Sequence, residues 1–275
     1  KYRTVKITAS EVNKLRKTTG AGMMDCKKAL VEAEGDFEKA VENLRKKGQK
    51  VAANRADRDS SEGVVLAKVN ESHTEGVVVS INCETDFVAK NESYLSMAKE
   101  LAEIALKYET LESFLAADYK GMSIADKLTE QTGVIGEKIE ISAFEKITAT
   151  KVVAYNHPGN QIATIVGLSL DEEEVGKQVA MQVAAMNPIA LDQDSVTQDV
   201  IDREIEVGKD LAIQEGKPLE MAEKIAKGRL NKFFKETTLI NQAFIRDNKK
   251  TVGQFLKETN PDLMVTDFKR YSLSV

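Results

Sequence analysis

At 275 residues, with 42% apolar and 30% charged side chains, the chain is too long for one typical core and has no apolar run near the ~20 residues of a membrane span. Two isolated cysteines, Cys26 and Cys83, exclude a disulfide framework and fit a reducing compartment, so a cytoplasmic protein without a signal peptide is expected. The net charge of −5 is uneven: residues 1–55 hold 14 Lys and Arg against 7 Asp and Glu, and the rest carries a net −12, a pattern suited to a partner of mixed electrostatics.

Residues 10–48 read as three short helices. The first follows a Ser10 N-cap, carries Val12, Leu15 and Arg16, and stops at Thr18-Thr19-Gly20. The second places Cys26, Ala29, Leu30 and Ala33 at i, i+3, i+4 and i+7, an apolar stripe. Phe37, Ala40, Val41 and Leu44 repeat the spacing after Gly35-Asp36. Residues 49–62 are polar and lack periodicity, which predicts a linker with at most partial helix.

A hairpin is predicted next, Val64 to Val69 and Val77 to Ile81, joined by a polar loop through His73. It leads into Asn82-Cys83-Glu84-Thr85-Asp86-Phe87-Val88-Ala89-Lys90, a strand-to-helix junction with an aromatic side chain at its centre. Loops of this kind often carry function. Phe87 there either folds back into the core or is offered to a partner. A helix with Tyr94, Ala98, Leu101, Ala102 and Ala105 on one face follows. Lys138 to Ile147 is a further strand, extending this sheet or bridging to the next.

The order then recurs. Val152 to Tyr155 and Ile162 to Val166 form a second hairpin around Pro158-Gly159, and a helix from about Glu173 ends before Pro188. Two similar α+β halves are inferred. Inserted in the second is a helical hairpin over about 197–234. One arm carries Ile201, Ile205, Gly208 and Ala212, the turn is Gly216-Lys217-Pro218, and Met221, Ile225 and Leu230 continue the stripe. A short helix at Val252, Phe255 and Leu256 and a closing strand from Met264 to Leu273 complete the chain.

Chemistry is hard to assemble from these residues. The two cysteines are far apart and His73 and His157 stand alone, so no metal site and no cofactor are expected. The chain lacks a P-loop, a nucleophile elbow and a dinucleotide fingerprint, which argues against direct nucleotide binding. Cys83 as a nucleophile with His157 as its base competes poorly with a buried thiol closing a strand. Asp171-Glu172-Glu173-Glu174 is read as an acidic helix N-terminus. The basic first segment would also fit an RNA-associated adaptor with steeply salt-dependent binding. Aromatics make up only 5% and Trp is absent, so stacking platforms are scarce and no nucleic acid is expected. A binding protein is favoured over an enzyme.

Thr19-Gly20-Ala21-Gly22-Met23-Met24-Asp25-Cys26-Lys27-Lys28-Ala29-Leu30 closely resembles the N-terminal signature of bacterial elongation factor Ts. Thr85-Asp86-Phe87-Val88 is similar to the core signature of that family, and the hairpin from Ile201 to Phe233 resembles its helical arm. The resemblance runs from Ser10 to about Glu258. It implies a guanine-nucleotide exchange factor for elongation factor Tu, and not an enzyme. The fold it implies is α+β: a UBA-like three-helix domain over 1–50, a linker over 51–62, core halves over 63–148 and 149–275, and a coiled-coil arm at about 197–234. Arg16, Met23, Met24 and Lys27 match contact positions on the partner's GTPase domain; for Met23 core packing is the rival reading. Thr85, Asp86, Phe87 and Val88 would intrude near the partner's Mg²⁺. Asp86 either orders the turn or meets the displaced groups. His157 belongs to the half expected to grip the partner's third domain, in a 1:1 or 2:2 complex. The family's best-known members carry a further C-terminal module, for which Ser272-Leu273-Ser274-Val275 leaves little room, which puts the contacts of that module in doubt and shifts the expected affinity toward residues 10–50.

Overall fold

The computed structural model describes residues 6–273; the outer limits of the expected 1–50 and 149–275 segments lie outside the described residues. It is an α+β protein whose chain divides into two compact units, one holding the N-terminal segment to Val65 with Val79–Phe144, the other Leu66–Val78 with Glu145–Ser272.

In the first unit, α1 (Ala9–Thr19), α2 (Met23–Glu32) and α3 (Phe37–Asn54) enclose Val12, Leu15, Cys26, Ala29, Leu30 and Ala40. Thr8, not Ser10, caps α1. Its hydroxyl accepts from Glu11 N at 3.2 Å while Glu11 Oε2 accepts from Thr8 N at 2.7 Å, a reciprocal box that needs an acid or amide three residues on. Gly20, at φ 72°, ends α1 in the left-handed region open to glycine. Met23 and Met24 are 54% and 73% exposed. The core reading of Met23 therefore falls: its i, i+3 relation to Cys26 sets it at the rim of the stripe.

Helix α3 continues to Asn54, into the segment read as linker, because its face finds a partner the local pattern does not announce. After β1 (Glu62–Val69), β2 (Glu75–Cys83), α4 (Asp86–Ala89) and α5 (Glu92–Ala105) come α6 (Leu111–Leu115), a two-residue ladder of β3 (Asp118–Tyr119) with β4 (Met122–Ser123), and α7 (Ile124–Ile135). Gly133 of α7 lies so close to Gly48 of α3 that a Cβ on Gly133 would sit 2.4 Å from the Gly48 Cα. The two helices meet backbone to backbone.

The first sheet has order β1-β2-β5, with β5 spanning Glu140–Thr148. Strand β2 is central and buried from Gly76 to Cys83, hence its unbroken apolar run. Strand β5 is an edge and buries only Ile141, Ala143 and Ile147. Helix α5 buries Tyr94, Met97, Ala98, Leu101, Ala102 and Ala105.

In the second unit, β6 (Lys151–Asn156), β7 (Ile162–Leu168) and β10 (Val265–Ser272) form an antiparallel sheet of order β10-β7-β6. Again the second hairpin strand is central and the strand arriving after the helices pairs with it. Helix α8 (Glu173–Met186) packs Val175, Val179 and Val183 with Val166 and Leu168. The helical hairpin is α9 (Gln198–Gln214) and α10 (Leu219–Thr237). Its seam is Gly208 and Ala212 with Ala222 and Ala226, while Phe234 packs at the base with Ala190 and Val196. Met221, expected on the stripe, is 52% exposed. Small residues win the seam because a Cβ on Gly208 would already lie 3.1 Å from the Ala226 Cα. Strands β8 (Ala243–Phe244) and β9 (Asp247–Thr251) and helix α11 (Val252–Thr259) cover the second core, where Phe244 stacks on Phe255 at 4.2 Å.

Candidate partner-binding site

The junction after β2 is ordered, not an open loop. Thr85 is the N-cap of the single turn α4, its hydroxyl accepting from Val88 N at 3.4 Å. Helix α5 starts at Glu92 under an Asn91 cap. The turn is anchored on its inner side by buried Ala89, and just beyond it by Tyr94, whose hydroxyl donates to the Ile81 carbonyl at 2.7 Å. On its outer side Phe87 is 83% exposed, more than any other large apolar side chain among the described residues.

A turn of four residues cannot hold itself, since helix nucleation fixes several dihedrals for one hydrogen bond. The Thr85 cap supplies about 1 kcal/mol. Lys90 donates to Asp86 at 2.6 Å and holds that carboxyl below the usual carboxylate range, but exposed pairs of this kind are screened and add little. The remaining bonds come from distant parts of the chain. Glu137 Oε2 accepts from Glu84 N at 3.1 Å and Thr85 N at 3.0 Å, and its Oε1 accepts from the Thr85 hydroxyl at 2.7 Å. In return Glu84 Oε1 accepts from Lys138 N at 2.7 Å, and Arg55 Nη1 donates to both Glu84 oxygens at 2.9 and 2.8 Å. Hydrogen bonds to charged groups contribute about 1.5–3 kcal/mol each where water is excluded, so these outweigh the local ones. Burial opposes ionisation of Glu84, yet the Lys138 N–H and the Arg55 guanidinium overcome it and keep the carboxyl below the usual 4.5.

Cys83 closes β2 as a buried thiol. It donates to the Thr85 carbonyl at 3.2 Å, and burial pushes its pKa up to about 11. A nucleophile requires the opposite shift.

Arg16 stands exposed in the last turn of α1, and Met23, Met24 and Lys27 in the first turns of α2. Lys17 and Gly20, at the end of α1, line one groove with Ser93 and Met97 of α5. His157 is exposed in the β6–β7 loop of the second unit, its Nδ1 2.9 Å from the Tyr155 hydroxyl. Sequence reading missed Glu137, Glu84 and Arg55. They stand 53 and 29 positions apart in the bonds they make, and no periodicity links them. Among the described residues no group of three or more His, Cys, Asp or Glu could hold a metal ion, and no helix is long and apolar enough to cross a membrane.

Residues 84–274 match the family described as Elongation factor TS. The chain is 60% identical over 271 residues to Elongation factor Ts of Christiangramia forsetii, covering 98% of this chain and 99% of that protein. It is 56% identical over 270 residues to Elongation factor Ts of Flavobacterium psychrophilum, covering 97% and 98%. Against Elongation factor Ts of Amoebophilus asiaticus the identity is 50% over 270 residues, 96% of this chain and 98% of that protein.

Proposed function

Because this chain belongs to the elongation factor Ts family, we propose that it is a guanine-nucleotide exchange factor in translation elongation, binding elongation factor Tu in its GDP form and promoting GDP release. The observation that carries this reading is Phe87, 83% exposed on a turn braced by bonds from distant residues. Leaving a Phe ring in water forgoes about 2–3 kcal/mol of burial. A fold that holds it there gains that amount only on meeting a partner.

Exchange by such a factor is reciprocal linkage. A protein that lowers the GTPase's affinity for GDP must itself be bound less tightly when GDP is present. It therefore needs a contact that is favourable only in the nucleotide-loosened form. The Asp86-Phe87 turn supplies it by entering near the partner's Mg²⁺ site, and burying the ring there is enough to shift the equilibrium about thirtyfold or more. The Mg²⁺ neutralises the nucleotide phosphates, so disturbing its coordination speeds GDP release. Thr85 and Val88 flank Phe87 in the chain, and Asp86, already paired with Lys90, adds a weak local brace to the turn. This chain performs no covalent step.

The other contacts follow the same logic. Residues 1–50 act as a UBA-like docking domain, with Met23 and Met24 as adaptable apolar anchors and Arg16 and Lys27 steering by charge. The helical hairpin at about 197–234 is the coiled-coil arm, and His157 contributes from the second core half. Stopped-flow release of a fluorescent GDP from elongation factor Tu tests the reading. Phe87→Ala is expected to lower the maximal stimulated rate about thirtyfold while weakening complex formation far less. An unimpaired variant would sink the wedge.

A further inference from the structure

The wedge works only if the ring is presented in one place, and the turn's own residues supply little toward that. Asp86–Ala89 is one helical turn, and Phe87 itself has almost no packing to hold it. What fixes the turn is a crossed pair of carboxylates. Glu137 takes the backbone N–H groups of Glu84 and Thr85 and the Thr85 hydroxyl; Glu84 takes the N–H of Lys138, next to Glu137. Each acid thus binds the backbone of the other's segment, and the 84–85 and 137–138 segments cannot slide past one another without breaking four hydrogen bonds. Arg55, which is the C-cap of α3, donates from its one Nη1 to both Glu84 oxygens and offsets the repulsion between the two acids.

We propose that Glu137, acting with Glu84, is a positioning residue for exchange: it sets the position of the Phe87 ring through Thr85 and never touches the partner's nucleotide site itself. The proposal rests on the wedge reading of Phe87. Its physical content is preorganisation. A ring held in place loses no freedom on insertion, whereas a loose turn must be ordered each time it binds, and small misplacements at a reacting centre are disproportionately costly. The residue should therefore govern how fast GDP leaves within the complex and not how well the complex forms.

The test uses the full chain carrying Glu137→Gln, which keeps side-chain shape but places an amide where three donors need acceptors. Three readouts are taken: backbone amide exchange of Glu84 and Thr85 in the free protein, the maximal stimulated rate of GDP release, and the concentration giving half that rate. The expected result is faster exchange of the two amides, a maximal rate reduced about tenfold, and a half-saturating concentration within about twofold of the parent. Arg55→Lys, which keeps the charge but not the length and planar geometry that bring Nη1 to both Glu84 oxygens, is the second variant and is expected to shift the same quantities in the same direction by less. It keeps the question open to measurement if Glu137→Gln does not fold. Unchanged amide protection in both variants overturns the clamp. Lost protection with an unimpaired maximal rate, in a preparation where Phe87→Ala is slow, overturns the positioning role and leaves the wedge standing. An unimpaired Phe87→Ala overturns the wedge and this role with it.

Discussion

Two residues of the junction make opposite statements about chemistry. Phe87 is exposed where an apolar side chain is ordinarily covered, and Cys83 is buried with its thiol pushed up to about 11. Near pH 8 its thiolate fraction is on the order of one in a thousand. Cys83 should therefore react with a thiol reagent at least about a hundredfold more slowly in the folded protein than in urea; equal rates would revive it as a nucleophile. Glu84 makes a pH statement. Its folded carboxyl titrates below the usual 4.5, so the unfolded chain takes up the proton first as pH falls. The stabilisation is complete above 4.5 and is lost as pH drops through the lower folded value. Protection of the Lys138 amide, measured as a protection factor, should be level at neutral pH and decline below about 4.5. A decline beginning near neutrality would mean that the Arg55 pairing is absent in solution.

Among the elements, glycines at helix crossings separate close approach from mere helix content. Gly133→Ala places a Cβ 2.4 Å from the Gly48 Cα, backbone against backbone, with no flexible side chain to give way. A cost of about 1–3 kcal/mol is expected from the urea midpoint. Gly228 of α10 has nothing within 4 Å of its added Cβ, so Gly228→Ala should stabilise by about 0.5–1 kcal/mol through helix propensity alone. If the two substitutions moved the midpoint alike, the α3–α7 contact would be wrong. The same crossing explains why the segment after residue 49 was hard to read. Helix α3 is carried to Asn54 by a surface on α7 that lies 85 positions away at its closest glycine pair, and no local period reports such a partner.

For the whole molecule, the α3–α7 packing bears on how docking can be tested. Deleting residues 1–50 would cut α3 short and bare the α7 face, mixing stability with affinity. Substituting Met24→Asp on the 73% exposed face of α2 avoids this. Under the docking role it should raise the half-saturating concentration in the GDP-release assay about tenfold or more and keep the maximal rate and the urea midpoint. An unchanged half-saturating concentration would remove α2 from the contact. Much of this architecture was legible in one dimension. The helices at Leu15, Leu30 and Leu44, both hairpins, α8 and the helical hairpin announced themselves because their cores are built from neighbours three, four or two positions apart. The Thr19–Leu30 and Thr85–Val88 segments likewise pointed to a family by residue identity alone. Tertiary structure decided what depends on distant chain: that Met23 faces outward, that Met221 yields the seam of the helical hairpin to Ala222 and Ala226, and that residues 106–137 are ordered as α6, a short ladder and α7. It also decided how Phe87 is held. The sequence by itself determined that an aromatic side chain stands at a strand-to-helix junction. Only the fold brought Glu137 and Arg55 to Thr85 and Glu84, because a hydrogen bond requires atoms within about 3 Å and is indifferent to the number of residues between them.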